Sequence, residues 1–387
     1  MKNIIIIGSR GYKFEYGGWE TFVTNLIDNY DDNDTNFYVP ELSFEKNKSD
    51  RKENGVNIHP IYIPPQGNAT MLTFAIKAVI YYKKYIKDNN LDNVIMYILG
   101  CRVGPLFTFI HKKFKKMGVK IIINPDGLEW KRDKWNFFIK QYFKISERTM
   151  IKSSDMVVCD SLAIKDYVDN KYHVNSTYIS YGAYLKDNYE LSNETKKFFN
   201  EKKLKPNNYY LFVGRFVPEN NIELIIKEFM KTKINKDLVI VSNVEKNKFY
   251  NKLINNTNFT RDKRIKFVGS IYDDKILRDI RINASAYIHG HSAGGTNPSL
   301  LEALSITDVN LLYDAVYNRE VGEDAALYFN DEEGSLCKQI NTIEKFKAKE
   351  QNEYGKRAKQ RIKDEYTWEI VVKKYKKLFN KLLGLKK

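Results

Sequence analysis

The stretch HGHSAGGTNPSLLEAL, residues 289–304, decides how the second half of the chain is expected to fold. The apolar pair Tyr287 and Ile288 precedes a glycine-rich turn, and Asn297 and Pro298 suit the N-cap and first position of a helix. The pattern therefore predicts a strand, a tight loop and a helix. Helix N–H groups and the positive end of the helix dipole favour an anion such as a diphosphate at this place.

Three further residues of the stretch are candidates for ligand contact. Gly294 and Gly295 would let the backbone approach a ligand closely. Glu302 lies about one and a half turns into the predicted helix, near enough to the loop to accept a hydrogen bond from a sugar hydroxyl. Taken alone, the same residues would equally fit a capped helix whose leucines face a core, so the rest of the chain must decide.

Length and charge restrict the class of protein. A chain of 387 residues favours two domains. The formal net charge of +16 indicates an anionic partner, namely nucleic acid, an anionic membrane or a phosphorylated substrate, although a bias towards Lys would also account for part of it. No helix-turn-helix, aromatic RNA platform or Arg-rich arm supports nucleic acid. Three scattered cysteines argue against a disulfide framework or a Cys-rich metal site and suit a reducing cytoplasm.

Apolar runs alternate with helical patterns in both halves of the chain. The predicted strands are 2–8, 36–39, 56–63, 93–99, 119–123 and 155–158, then 209–213, 236–242, 263–269 and 284–288. Alternation of this kind predicts parallel α/β sheets with right-handed crossovers. A polar stretch, 186–208, indicates a linker and a first helix, so two α/β domains with a cleft between them are expected. The longest mixed apolar segment, 71–86, is interrupted by lysines, and no membrane span is expected.

Loops after the predicted strands hold the candidate residues of the first half, because ligands of such sheets bind at the carboxyl ends of the strands. Gly17 and Gly18 follow the first strand and could form a backbone cradle for an anion, or simply a surface loop. Arg102 follows the strand that ends at Leu99. In NPDGLEWKR, residues 124–132, Asp126 is either a catalytic or substrate-orienting carboxylate or a turn-forming residue before a glycine.

Two other segments have a distinctive composition. Between residues 106 and 144, FIHKKFKK and WKRDKWNFFIKQYFK interleave bases with aromatics, which is typical of a segment attracted to anionic lipid, of a single-strand binder, or of a solvated basic face. In the second half, Arg215 follows a strand and a glycine, where its guanidinium could hold a diphosphate bidentately. The amphipathic segment YTWEIVVKKYKKLFNKLL predicts a helix that packs back across both domains.

The order of the motifs resembles a known family. The stretches are YGGWETF (16–22), NPDGLEWKR (124–132), VGRFVPEN (213–220), KFVGSIYD (266–273), and HGHSAGGTNPSLLEAL followed by NREVGEDAALYF (318–329). In that order they resemble glycosyltransferase family four, and within it the bacterial β-1,4-rhamnosyltransferases of capsule and cell-wall polysaccharide synthesis. The resemblance covers nearly the whole chain.

The resemblance implies an α/β fold of the GT-B type, with two Rossmann-like domains and a last helix that crosses back to the first. The implied acceptor-binding domain is 1–185 with the helix 368–387, and the implied nucleotide-sugar-binding domain is 186–367. It also implies a retaining reaction without a metal ion or other cofactor, in which the nucleotide sugar is the donor substrate.

Site residues follow from the resemblance one at a time. Arg215 looks like the diphosphate-binding Arg and Glu302 like the glutamate that binds the nucleotide ribose, while Gly17 and Gly18 look like a loop that closes over the phosphates. Asp126 falls where many relatives carry a His near the reacting sugar. The remaining candidates are Thr296, Asn297 and the Gly294–Gly295 backbone for the donor, and Arg102, Glu129 and Trp130 for the acceptor.

Two departures from the family pattern remove charged groups. The first glutamate of the family pair would fall at Gly294, and the Lys that assists the diphosphate Arg would fall at Asn220. The expected activity is transfer of L-rhamnose from dTDP-rhamnose to a hexose on an undecaprenyl diphosphate carrier, at the inner face of the cell membrane. Transfer from another nucleotide sugar, such as a UDP-hexose, and a non-catalytic adaptor at a lipid surface remain alternatives.

Overall fold

The structure is a computed structural model that describes residues 1–14, 17–131, 135–185, 191–244 and 247–385. Parts of the sequence predictions lie outside these residues. They are Tyr16 of the motif 16–22, Arg132 of the motif 124–132, residues 132–134 of the basic and aromatic segment, the first five residues of the predicted linker, and the last two residues of the C-terminal helix.

The chain forms two compact units. The first comprises Met1–Gly182 and Trp368–Lys387, and the second comprises Ala183–Thr367. The first division falls between residues 182 and 183, three residues before the boundary expected from the linker composition. The sequence placed that boundary at the onset of polar residues, whereas in the structure the backbone N–H of Ala183 already donates to the carbonyl of Tyr366 in the second unit.

The first unit is built on a largely parallel sheet. Its strands are β1 (Lys2–Ile7), β2 (Thr35–Ser43), β3 (Arg51–Glu53), β4 (Val56–Tyr62), β5 (Val94–Leu99), β6 (Lys120–Asn124), β7 (Met156–Cys159) and β8 (Thr177–Tyr178). The helices that connect them are α1 (Gly18–Asp28), α2 (Thr70–Asp88), α3 (Gly104–Lys116), α4 (Phe137–Ser153) and α5 (Leu162–Tyr172). Strand order is β3-β4-β2-β1-β5-β6-β7-β8, and β3 pairs antiparallel with β4. The predicted α/β class is confirmed.

The burial of the central strand β1 explains why its continuous apolar run predicted a parallel sheet. Every residue of β1 is buried, and β1 pairs in parallel with β2 on one side and β5 on the other. A central parallel strand is covered by helices on both faces, so it is apolar throughout rather than alternating. The carboxyl ends of β1, β5 and β6 consequently lie side by side at one edge.

The second unit has a fully parallel sheet. Its strands are β9 (Tyr209–Val213), β10 (Asp237–Val241), β11 (Ile265–Gly269), β12 (Ala286–His289), β13 (Asn310–Tyr313) and β14 (Leu327–Phe329), in the order β11-β10-β9-β12-β13-β14. Its helices are α6 (Asn193–Lys202), α7 (Ile222–Met230), α8 (Lys248–Thr257), α9 (Asp274–Ile282), α10 (Pro298–Ile306), α11 (Val316–Gly322), α12 (Ser335–Ile343) and α13 (Ala348–Glu365). The sequence did not predict β13 and β14, because apolar runs of three or four residues show no usable periodicity.

The last helix, α14 (Trp368–Leu383), packs within the first unit. Its buried face includes Trp368 and Tyr375, and the Tyr375 hydroxyl lies 2.8 Å from that of Tyr97 on β5. The Trp368 ring covers Gly182 so closely that a Cβ there would lie 2.6 Å from the indole. Side-chain packing therefore attaches this helix to the first unit, although it follows the second unit in the chain.

Candidate functional site

Two loops of the second unit are fastened together at the carboxyl ends of β9 and β12, which are neighbours in the sheet. The side-chain amide of Asn221 donates to the Gly290 carbonyl at 3.0 Å, and both the N–H and the hydroxyl of Ser292 donate to the Glu219 carbonyl at 3.0 Å. A Cβ at Gly290 would lie 2.3 Å from the Asn220 carbonyl oxygen. This close contact brings the loop that carries Arg215 beside the glycine-rich loop.

Arg215 itself is exposed, and a buried side chain of the same loop fixes its backbone by a hydrogen bond. The amide of Asn220, which is 3% exposed, donates to the Arg215 carbonyl at 2.8 Å. Asn220 stands where the pattern of the resembled family has a Lys. It therefore stabilises the backbone of this loop and adds no charge to it. The guanidinium of Arg215 is left at the surface of the second unit, where it can meet an anion.

Two histidines lie next to this loop, and the sequence analysis did not single them out. The ring of His291 stacks on that of His289, with centroids 4.2 Å apart and planes 12° apart, and Phe212 continues the stack. Burial and the charge of Arg215 lower the pKa of His291 to about 3, and burial lowers the pKa of His289 well below its ordinary value. Both rings are neutral at pH 7, so they pack beside the Arg215 loop without adding charge to it.

The start of α10 is built as predicted. The side chain of Asn297 accepts from the Ser299 N–H at 2.9 Å, and Pro298 is the first helical residue, so the predicted cap is confirmed. Gly294 has a φ of 129°, a conformation that favours glycine, and a Cβ there would meet no atom within 4 Å. Thr296 is buried at the base of the same loop. The backbone at Gly294 is therefore open to an approaching ligand.

Glu302 lies on α10 and is paired with a buried arginine. Its Oε2 is 2.7 Å from Nη2 of Arg281, which belongs to α9. The same Nη2 donates to the Ser299 hydroxyl at 3.2 Å, and that hydroxyl lies 2.9 Å from the hydroxyl of Tyr287. Arg281 was not predicted, since its partner is 21 positions away in the sequence and on another helix.

A pocket in the first unit collects the other group of predicted residues. Its volume, open solvent included, is about 330 Å³. It lies where the loops after β5 and β6 meet the start of α1, and α4 closes one side. The lining residues are Trp19, Gly100, Cys101, Arg102, Pro125, Asp126, Glu129, Trp130, Phe143 and Glu147. The predicted loops after β5 and β6 therefore converge, because the carboxyl ends of these strands are adjacent, whereas no described residue of the glycine-rich loop after β1 lines the pocket.

Asp126 has a left-handed backbone, with φ 61°, and its N–H donates to the side chain of the buried Asn124 at 2.8 Å. Its carboxylate lines the pocket. The Asp is thus part of a tight turn and of the pocket wall at once, so the two interpretations of this residue are compatible.

Aromatic rings and cations surround the pocket. The guanidinium of Arg102 lies 4.5 Å from the centroid of the Trp19 ring. The ring of Trp130 has the ammonium groups of Lys131, Lys144 and Lys171 at 5.6, 4.9 and 5.1 Å from its centroid. Two indole rings at a polar pocket provide apolar faces for ligand stacking, and the lysines make one side of the pocket strongly basic.

Glu129 and Glu147 differ in their surroundings. The Trp135 indole N–H donates to Glu129 at 2.9 Å. Glu147, on α4, is buried and accepts from the hydroxyls of Tyr167 at 2.6 Å and Tyr172 at 2.5 Å. The sequence analysis missed Glu147, because it lies inside a helix and no local motif distinguishes it from a surface glutamate.

Gly17 and Gly18 lie at the start of α1 rather than in the pocket wall. Gly17 has a φ of 145°, and a Cβ there would lie 1.8 Å from a carboxylate oxygen of Glu20. That carboxylate accepts from the Arg10 N–H at 2.9 Å. In the structure Gly17 is therefore required for the helix start. The predicted part of both glycines in closing over phosphates stays a prediction.

Across the described ranges, no group of three or more His, Cys, Asp or Glu side chains is arranged to hold a metal ion. Within the same ranges, no helix is long and apolar enough to cross a membrane.

Comparisons with known proteins identify the class. Residues 193–361 match the family model described as glycosyl transferases group 1, and residues 1–184 match a domain of unknown function, DUF1972. The chain is 25% identical, over 99% of its own length and 100% of the relative's, to an uncharacterized glycosyltransferase of Methanocaldococcus jannaschii, MJ1069.

Solved structures share the fold over nearly the whole chain. Sucrose-phosphate synthase from Thermosynechococcus elongatus has a TM-score of 0.79 at 15% identity, with 99% of this chain and 100% of that chain covered. Anabaena HepE in complex with UDP has a TM-score of 0.70 at 12% identity, with coverages of 98% and 100%. Residues 193–361 therefore form a domain of the glycosyltransferase group 1 type, and the chain as a whole has the two-domain α/β fold of GT-B enzymes.

Proposed function

We propose that the protein is a retaining, metal-independent rhamnosyltransferase that moves L-rhamnose from dTDP-rhamnose to a hexose on an undecaprenyl diphosphate carrier in surface polysaccharide synthesis. The observation that carries the donor half of this proposal is the fastening of the Arg215 loop to the glycine-rich loop before α10. It sets an exposed guanidinium beside the loop that leads into a capped helix start, and a guanidinium and a helix start both favour a diphosphate.

Stabilisation of the leaving group is the proposed role of this part of the second unit. When the bond between the sugar and the diphosphate breaks, negative charge develops on the diphosphate oxygens. Arg215 and the N–H groups at the start of α10 would stabilise that charge, and they need no rearrangement because their loops are already held in place. Gly294, Gly295 and Thr296 would form the wall next to the donor sugar, and Glu302 would bind the sugar of the nucleotide.

The pocket of the first unit is the proposed acceptor site. Sugar rings stack their C–H faces on indoles and donate their hydroxyls to carboxylates, and the pocket offers Trp19 and Trp130 together with Asp126 and Glu129. Asp126 would orient the attacking hydroxyl or stabilise positive charge on the reacting sugar. The lysines around Trp130 suit an acceptor that carries a diphosphate.

A surface of the first unit supports a lipid-linked acceptor. Large apolar side chains are exposed on the packed helices α3 and α4, where soluble proteins usually avoid them. We call them the α3–α4 aromatic surface: Phe109, Phe137, Phe138 and Ile145. The last turn of α3 adds three lysines. Aromatic and basic side chains together are the composition of a segment that lies on an anionic membrane, so we propose a peripheral association with the inner face of the cell membrane.

A donor panel tests the proposal. The full-length chain is incubated with a synthetic lipid-diphosphate hexose and either dTDP-rhamnose or UDP-glucose, and release of nucleoside diphosphate is measured. Release that depends on the acceptor and on dTDP-rhamnose, with the anomeric configuration of the product retained in its NMR spectrum, is the expected result. Release from UDP-glucose alone would favour the UDP-hexose alternative. No release from any donor, with liposome binding intact, would favour the adaptor.

A further inference from the structure

One oxygen of the Glu302 carboxylate is engaged by a buried guanidinium. The 2.7 Å ion pair joins Nη2 of Arg281 to Oε2 of Glu302, and the side chains are 4% and 37% exposed respectively. Glu302 thus reaches from a buried cation to the surface of the second unit. Its Oε2 belongs to the buried end of the pair, and its Oε1 is available to a ligand.

Breaking the ion pair with Glu302 would leave the buried guanidinium of Arg281 without this partner charge, which is energetically unfavourable. A guanidinium does not lose its proton in a protein, and a buried one needs a partner charge. Arg281 is also fixed at other points, since Nη2 donates to the Ser299 hydroxyl and its backbone carbonyl accepts from the Thr307 hydroxyl at 3.0 Å. The orientation of Glu302 is therefore set before any ligand arrives.

We propose that Arg281 is a positioning residue that adapts the donor site to a 2′-deoxynucleoside diphosphate. The inference rests on the proposed function, in which Glu302 binds the sugar of the donor nucleotide. A ribose presents two neighbouring hydroxyls, 2′ and 3′, that together occupy both oxygens of a carboxylate. A 2′-deoxyribose presents only the 3′ hydroxyl. With Oε2 paired with Arg281, Oε1 satisfies that one hydroxyl, whereas a 2′ hydroxyl would have to share Oε2 with the guanidinium and would gain little from it.

Titration calorimetry on the full-length chain with UDP, dUDP and dTDP tests whether Arg281 adapts the donor site to a 2′-deoxynucleotide. UDP and dUDP differ only in the 2′ hydroxyl, so their ratio of Kd values isolates its contribution. In the wild type we expect dUDP to bind at least as tightly as UDP. Arg281→Met removes the guanidinium and makes Oε2 available, so UDP should gain about tenfold over dUDP, the effect of one hydrogen bond to a charged group.

Two control variants separate positioning from a general effect of charge or stability. Arg281→Lys keeps a cation near Oε2 and should keep the wild-type ratio. Lys275→Met removes an exposed cation from the same helix and should also leave the ratio unchanged. Glu302→Ala should weaken UDP and dUDP alike, by about tenfold, because it removes the sugar contact itself.

The wild-type measurement needs no variant to fold, so the inference is testable in any case. Tenfold tighter binding of UDP than of dUDP to the wild type would overturn it and leave the nucleotide-sugar function standing. Unchanged binding of both nucleotides to folded Glu302→Ala would also overturn it. Absence of binding for all three nucleotides would remove the proposed function together with the inference.

Discussion

At the residue scale, Arg215 has the most direct proposed part in the chemistry, because it is an exposed cation on a loop that other groups hold in place. Arg215→Ala should lower kcat by about 10²–10³ without loss of folding, the range found when one charge-stabilising donor is removed. Steady-state kinetics with dTDP-rhamnose measure the effect. Arg215→Lys should have an intermediate kcat, since it keeps the charge but cannot bind a phosphate bidentately.

Lys338→Ala is the control for Arg215, since it removes an exposed cation from α12 of the same unit. We expect the control to turn over like the wild type. Equal rates for Arg215→Ala and Lys338→Ala would show that Arg215 does not act on the leaving group.

Asp126 can be tested without disturbing its turn. Asn tolerates a left-handed backbone nearly as well as Asp, so Asp126→Asn should fold normally at φ 61° while it removes the charge. Turnover with dTDP-rhamnose should fall by about 10²-fold or more. Asp166→Asn, on the exposed side of α5, is the matched control. Near-wild-type turnover of purified Asp126→Asn would contradict the catalytic role.

His291 predicts a dependence of stability on pH. Its folded pKa of about 3 lies below the ordinary value of 6.5, so between those two pH values the unfolded chain binds a proton that the folded chain does not. Stability from this group is therefore present above pH 6.5 and falls as the pH is lowered, by about 1.4 kcal/mol per unit. The urea midpoint of His291→Phe should decline less between pH 7 and pH 5 than that of the wild type.

The exposed His173 provides the control for this experiment. Asn accepts the left-handed backbone of that position, φ 54°, so His173→Asn should fold and should show the wild-type decline. Parallel pH profiles for His291→Phe and the wild type would mean that His291 is not held neutral in the folded state.

At the scale of elements, the capping of α10 by Asn297 can be separated from the proposed attraction of an anion to the same helix start. Asn297→Ala removes the side-chain acceptor of the Ser299 N–H and should cost about 1 kcal/mol of stability. Asn297→Asp keeps an acceptor and should retain the stability, but its negative charge should repel the diphosphate and weaken dTDP binding by about tenfold or more. Urea unfolding and calorimetry measure the two effects, and tight dTDP binding by Asn297→Asp would exclude an anion site at this helix.

At the scale of the whole molecule, the α3–α4 aromatic surface should govern membrane association. The double variant Phe137→Ser and Phe138→Ser should lower partitioning into anionic vesicles at least tenfold, because each exposed Phe that enters the interface contributes on the order of 1.5 kcal/mol. Phe44→Ser, which removes an exposed Phe outside this surface, should leave partitioning unchanged. Sedimentation with vesicles of stated anionic content measures the partitioning. Equal partitioning of both variants would refute the proposed role of the α3–α4 aromatic surface in membrane association.

The sequence predicted the architecture because central parallel strands are apolar throughout and the chain alternates them with helices. Strand β1 and the cap at Asn297 were confirmed for this reason, since each depends on residues that are neighbours in the chain. The short strands β13 and β14 were missed because their pattern is too brief, and the resemblance of ordered motifs supplied the functional class that periodicity could not.

Local sequence by itself therefore determined the longer strands, the α/β class and the loops that follow those strands, since these depend on nearby residues. Only the tertiary structure decided which distant side chains share a site. Glu302 meets Arg281 from another helix, His291 stacks on Phe212 from the neighbouring strand, and Glu147 reaches the pocket of the first unit from α4. Such contacts are made across the sheet and between packed helices, and no spacing along the chain records them.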